Sequence, residues 1–285
     1  MTKNANAKSW TMYEWGDGSF HPYEEPDVAD LPGLWTWADI ADDDDTYFDL
    51  ATGNNSRPVL DVIVNRATPG TNDYFNDDTG DASHGRPGYD GPFGGHTGQD
   101  GFSITGYSTS LRPLAIESYQ SDGGDDAFVQ HMYQTGNLNA TGEFYLVSAF
   151  VNSRVAGNRY LWGQDASNYV RIEQITGDGN ASIEIAGGTE TDLATDGDIP
   201  DGPVLLEIWR DANDDLFMWA NGVDITNGTI NIPGTFAMSG FGGGEQAAGS
   251  AWDDWLLEIL ACNDLPNASW RSIVRSYLNN KWGLY

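Results

Sequence analysis

The residues able to do chemistry fall into a few groups. Sugar recognition needs an aromatic face beside amide or carboxylate groups. Trp162-Gly163-Gln164-Asp165 with Asn168 and Tyr169 has that composition, and Trp252 with Asp253 is a second candidate. Hard cations such as Ca2+ take clustered carboxylate and carbonyl oxygens. Asp73, Asn76, Asp77, Asp78 and Asp81 form one such cluster, Asp196, Asp198 and Asp201 another, and Asp42-Asp43-Asp44-Asp45 is a further run. With 32 Asp in the chain, each cluster also reads as a solvated acidic loop. Retaining glycoside hydrolysis needs two carboxylates about 5–5.5 Å apart. Asp253, Asp254 and Glu258 come nearest, but the group begins in a predicted turn and Asp254 and Glu258 stand four residues apart. His21, His84, His96 and His131 lack zinc spacing. No Gly-x-Ser-x-Gly elbow and no phosphate-binding loop occurs. The sequence therefore predicts a chain that is not an enzyme.

The charge balance narrows the partners. Thirteen Lys and Arg stand against 43 Asp and Glu, a net charge of −30 over 285 residues. So negative a surface repels phosphate backbones and anionic membranes. Nor does any run approach the roughly 18 apolar residues of a spanning helix. Nucleic acid and membrane insertion are thus excluded as expectations. Asp outnumbers Glu 32 to 11, and Lys3, Lys8 and Lys281 are the only lysines. That bias resembles the proteins of extreme halophiles, where molar salt shortens the screening length to roughly 3 Å and removes self-repulsion. A lone Cys262 permits no intrachain disulfide. Residues 1–8 carry no apolar core region and do not read as a secretory signal.

These groups must be held by β-structure. Hydrophobic residues make up 39% and aromatics 12%, enough for a real core. Residues 1–30 read as a polar, aromatic-spotted arm, and 50–106 as an inserted loop region rich in Gly and Asp. Phe144–Val151 is a continuous apolar run, as a sandwich-core strand would be. Tyr169–Ile175 and Ser182–Ile185 alternate, and Asn221-Gly222 is a hairpin signal between Leu216–Ala220 and Val223–Ile225. Short strands at this spacing predict an all-β sandwich. The end differs. Trp270, Ile273, Val274, Tyr277, Leu278 and Trp282 make one helical stripe, with Asn267 as cap and Gly283 as stop, predicting a C-terminal helix over 267–283.

The order of these features resembles a known family. Leu31-Pro32-Gly33-Leu34-Trp35-Thr36-Trp37-Ala38-Asp39 is similar to the opening of laminin-G-like, concanavalin-A-like jelly-roll domains. Arg112–Glu117 followed by Gly123–Val129 looks like their second block. Phe144–Val151, the Trp219–Val223 hairpin and Trp252–Ala261 look like later strands. Tyr277-Leu278-Asn279-Asn280-Lys281-Trp282-Gly283-Leu284 is similar to the terminal helix of virion-associated and cell-surface members. The resemblance implies a jelly-roll domain over 31–285 that binds glycan or protein, in some members with Ca2+. It implies display on the capsid or tail of a tailed virus, as a decoration, turret or fibre component. The expected partners are other virion proteins through the arm, a host-surface glycan or protein, and further copies in a cyclic homo-oligomer. The expected location is the virion surface, assembled in the host cytoplasm and extracellular after release. A cell-surface carbohydrate-binding module or glycan hydrolase of the same fold stays open as the alternative.

Overall fold

A computed structural model describes residues 11–14, 20–23, 28–39, 46–49, 59–63, 65–67, 74–76, 88–89, 116–117, 132–152, 157–175, 178–195, 197–241 and 256–285. Among the described residues, Thr11–Glu14 (β1) and Phe20–Tyr23 (β2) pair with each other in a two-stranded sheet. Leu34–Asp39 (β3) opens the main body. The short strands Thr46–Asp49 (β4), Val59–Ile63 (β5), Tyr74–Asn76 (β6), Gly88–Tyr89 (β7) and Ile116–Glu117 (β8) follow. Then come the long strands Met132–Ala140 (β9), Phe144–Asn152 (β10), Gly157–Asp165 (β11), Asn168–Ile175 (β12) and Asp178–Glu184 (β13). Thr191–Ala194 (β14), Gly202–Arg210 (β15), Asp215–Ala220 (β16), Val223–Asp224 (β17), Ile230–Asn231 (β18), Phe236–Phe241 (β19) and Leu256–Cys262 (β20) complete the strands. The helix Ala268–Trp282 (α1) closes the chain.

Eighteen of these strands form one hydrogen-bonded network that folds into two antiparallel layers. One layer runs β3-β20-β10-β15-β16, with β17 and β18 on the far side of β16. The other runs β4-β5-β6-β9-β19-β11-β12-β13-β14. Strands β7 and β8 bridge the two layers between β5 and β20. The chain is the expected all-β jelly-roll sandwich with a C-terminal helix.

Two apolar clusters explain the patterning. Between the layers lie Phe144, Leu146 and Phe150 of β10, Val204, Leu206 and Ile208 of β15, and Leu161, Trp162, Val170, Ile172, Ala181 and Ile183 of the opposing layer. The alternate residues Tyr145, Val147 and Ala149, with Leu205 and Trp209, face the other way and pack under Val274, Leu278 and Trp282 of α1. Strands β10 and β15 are therefore buried on both faces, which is why they read as continuous apolar runs. Strand β16 has only one buried face. It alternates accordingly, with Leu216, Met218 and Ala220 inward.

Helix α1 is fixed at both ends. The Asn267 side chain accepts from the backbone N–H groups of Ser269 and Trp270, satisfying two donors the first turn leaves open. Gly283 takes the left-handed conformation at φ 60°, and its N–H donates to the Asn279 carbonyl. Glycine meets that conformation without a Cβ penalty. Val28 and Leu31 also enter the cluster beneath the helix. Among the described residues no helix is long and apolar enough to cross a membrane.

Candidate functional site

The structure separates the residues that composition had grouped. Trp162 is 1% exposed, and its indole Nε1 donates to Ser148 Oγ at 2.8 Å. It fills the core and offers no face to a ligand, which corrects the expectation of a sugar platform there. The cause is a bulge: Tyr160 pairs with Arg171 and Trp162 with Val170, so one extra residue is inserted. Leu161 and Trp162 both turn inward as a result. Asn168 is also structural, its Oδ1 accepting from the backbone N–H groups of Ala186 (3.0 Å) and Ala237 (3.2 Å). Asp165 Oδ1 accepts from Ser167 N at 2.8 Å, shaping the turn between β11 and β12. Gln164 is half-buried. Trp252 and Asp253 lie outside the described residues.

The cation candidates are not assembled by what is described. Asp73, Asp77, Asp78, Asp81 and Asp196 lie outside the described residues, and Asn76 is placed only as the last residue of β6. Asp198 Oδ2 accepts from the Thr195 N–H at 2.9 Å and from the Thr195 hydroxyl, closing its own loop. Asp201 is exposed. Among the described residues no three His, Cys, Asp or Glu side chains converge in a way that would hold a metal ion.

Tyr169, itself only 5% exposed, adjoins a patch on the outer side of the sheet. Register pairs place residues of β11, β12 and β13 directly opposite one another on one face. Tyr160, Arg171 and Ser182 form one row, continued by Asp192 of β14, and Gly163, Tyr169 and Glu184 form the next. This is the outer face, since the intervening Val170, Ile172, Ala181 and Ile183 point into the core. The rings of Tyr160 and Tyr169 meet edge to face, 5.0 Å between centroids at 88°. Gly163 permits the arrangement: a Cβ there would lie 3.3 Å from Tyr169 Cβ and 3.1 Å from the Asn168 carbonyl oxygen.

Polar groups surround the ring pair. The Tyr169 hydroxyl donates to Glu184 Oε2 at 3.0 Å. Burial, then that bond, raise the Tyr169 pKa well above the ordinary tyrosine range. Arg171 Nε lies 2.5 Å from Glu190 Oε1 and 3.1 Å from Ser182 Oγ, with its guanidinium 5.7 Å from the Tyr169 ring centre. Ser182 Oγ in turn donates to Glu190 Oε1 at 2.6 Å. Tyr160, Arg171, Glu184 and Glu190 all keep part of their surface in solvent. The more exposed ring, Tyr160, beside a guanidinium and carboxylates can stack a sugar ring and exchange hydrogen bonds with its hydroxyls. Sequence reading named only Tyr169 of this set. The signal for Arg171, Ser182 and Glu184 was present in Tyr169-Val170-Arg171-Ile172 and Ser182-Ile183-Glu184-Ile185, where every outward residue is polar or aromatic.

The remaining buried charges hold the fold. Glu258, the nearest candidate for a hydrolytic carboxylate, is fully buried beneath α1. It accepts from Trp37 Nε1 (2.6 Å), Trp282 Nε1 (2.8 Å), Tyr277 Oη (3.1 Å) and Lys281 Nζ (2.8 Å). Glu207 accepts from Tyr145 Oη (2.7 Å) and from two nitrogens of Arg275 (2.7 and 3.1 Å). Arg210 donates to the carbonyls of Ala140, Gly142, Ile232 and Gly234.

No family model matches the chain, and no curated protein is similar to it. Solved structures are similar at low identity. Trypanosoma rangeli sialidase in complex with sialic acid is 10% identical, with a TM-score of 0.42 over 95% of this chain and 36% of that one. The binding domain of botulinum neurotoxin DC in complex with SialylT is 8% identical, with a TM-score of 0.39 over 88% of this chain and 52% of that one. The CBM40 domain of a Ruminococcus gnavus IT-sialidase bound to alpha2,3 sialyllactose is 13% identical, with a TM-score of 0.34 over 47% of this chain and 82% of that one. The chain spans between 26% and 34% of the length of the first three sialidase structures it matches. Catalytic sialidases stand among these structures beside binding domains, which corrects the expectation that the chain is not an enzyme. At these TM-scores the likeness assigns neither activity nor ligand.

Proposed function

We propose that the chain is a glycan-binding jelly-roll module whose ligand lies across the outer face of β11, β12 and β13. The observation that carries this reading is the half-buried Tyr160 ring, backed by the buried Tyr169 and set beside Arg171, Glu184 and Glu190 on the outer face of the sheet. The partly buried hydrogen bonds that hold Tyr169 and Arg171 fix these side chains before ligand arrives, so little ordering entropy opposes binding. Tyr160, half-exposed at the edge of the pair, supplies the stacking face.

Titration of the full chain with oligosaccharides, read by calorimetry, tests this. Tyr160→Ala is expected to weaken binding about tenfold, a loss of about 1.4 kcal/mol, with the unfolding midpoint nearly unchanged. Unaltered binding in that variant would move the site elsewhere. Chromatography of the same mixtures reads any hydrolysis of the bound sugar.

The finer part of the proposal is display on a tailed-virus particle, with residues 1–30 contacting other particle proteins and this face turned toward the host. It is supported by the order of sequence features from Leu31 to Leu284 that resembles virion-associated jelly rolls. Purified particles should contain the chain, and its absence from them would remove this part while leaving glycan binding intact.

A further inference from the structure

We infer, on the footing of the glycan-binding reading above, that the β11–β13 face selects neutral glycans and rejects carboxylated ones. The charges on the face decide it. Glu184, Glu190 and Asp192 are three carboxylates against the single guanidinium of Arg171. That guanidinium is already engaged: Nε serves Glu190 and Ser182, and its central carbon lies 5.7 Å from the Tyr169 ring centre. A ligand carboxylate would have to share Arg171 with Glu190 while approaching Glu184 and Asp192, and no second cation stands on either row. The surrounding chain, at −30, adds repulsion of the same sign.

Sugar hydroxyls meet no such barrier. A hydroxyl both donates and accepts, so it can donate to the outer lone pairs of Glu184, Glu190 or Asp192. It leaves the Arg171–Glu190 pair closed. The geometry thus points to a polyhydroxylated, uncharged ligand.

The decisive experiment uses matched pairs that differ only in an acidic sugar. Lactose against α2,3-sialyllactose is one pair, and neutral oligosaccharides against their uronic-acid counterparts are others, titrated into the full chain at 0.15 M and 2 M NaCl. The neutral member is expected to bind at least tenfold more tightly at 0.15 M, with the gap narrowing at 2 M as the repulsion is screened. Glu190→Gln, which releases Arg171, is expected to raise affinity for the carboxylated member, a gain that misfolding could not produce. Equal or tighter binding of the carboxylated members by the wild-type chain would overturn the selectivity and leave the glycan reading standing. Binding of neither member in any pair would overturn both.

Discussion

Glu258 shows how single residues set the limits of this fold. A buried carboxylate loses several kcal/mol of hydration, and here two indole N–H groups, a phenol and an ammonium replace the water. Glu258→Ala takes the acceptor from two buried indole N–H groups and the carboxylate from Lys281. Because the Lys281 side chain keeps 25% of its exposure, part of its charge returns to solvent. The expected cost is about 3 kcal/mol, at the lower end for breaking a buried pair, read from urea unfolding; a loss below about 1 kcal/mol would show the knot to be dispensable. Proton linkage gives a second residue-scale expectation. Burial raises the pKa of Cys262 above its ordinary 9.0 and those of Tyr145 and Tyr169 above 10.0, with Glu207 and Glu184 adding to the two tyrosine shifts. Above these ordinary values the unfolded chain gives up protons that the folded chain keeps. The contribution is therefore complete below about pH 9 and declines as pH rises. Urea midpoints should fall between pH 9 and 11, and Tyr169→Phe should flatten that fall. An equally steep decline in the variant would assign the alkaline loss to other groups.

Among the elements, α1 covers the outer face of β10, β15 and β20. It seals Tyr145, Val147, Trp209 and Cys262 with one stripe, Val274, Leu278 and Trp282. Arg271 and Arg275 stack on Trp209 and Trp219 at 4.6 and 4.8 Å. Leu278→Asp places a charge in that stripe and should loosen the helix while the two-layer core persists. Cys262, fully buried and shielded in the native chain, then becomes the reporter. A thiol reagent should label it slowly in the wild type and at least tenfold faster in Leu278→Asp, with sheet circular dichroism retained; unchanged labelling would mean that the helix does not guard this face. The helix was legible in sequence because its stripe, its Asn267 cap and its Gly283 stop are all local. Strand β10 was legible because both its faces are covered. The fate of Trp162 was not, since the bulge that turns it inward depends on which residue of β12 lies opposite. The long-range partners of Glu258 were equally hidden: Trp37 stands 221 residues away in sequence, and no periodicity reaches that far. The β11–β13 face lies between these cases. Its alternation is local, but its rows exist only once register brings Tyr160, Arg171 and Ser182 abreast.

At the scale of the whole molecule, −30 acts on everything above. Charges on the surface repel within a Debye length of about 8 Å at 0.15 M salt and about 3 Å at 1 M, so much of the self-repulsion is removable by salt. The cations that clamp α1 are partly shielded from that change. Arg275 and Lys281 are held against fully buried Glu207 and Glu258, and buried pairs are screened much less than exposed ones. Salt should therefore relieve the repulsion without loosening the clamp of α1, so that stability rises with ionic strength. The expected outcome is a higher thermal midpoint at 2 M than at 0.15 M, with NaCl and KCl equivalent, since screening depends on ionic strength and not on a particular ion. Sucrose at matched osmolality, which acts by exclusion from the surface and carries no charge, should give a smaller rise. A flat midpoint in both salts would mean that the carboxylates are spaced widely enough to be solvated independently, and the Asp-rich composition would then report on solubility alone. A fall would locate the dominant electrostatics in the exposed ion pairs, with Arg171–Glu190 on the ligand face the first to examine.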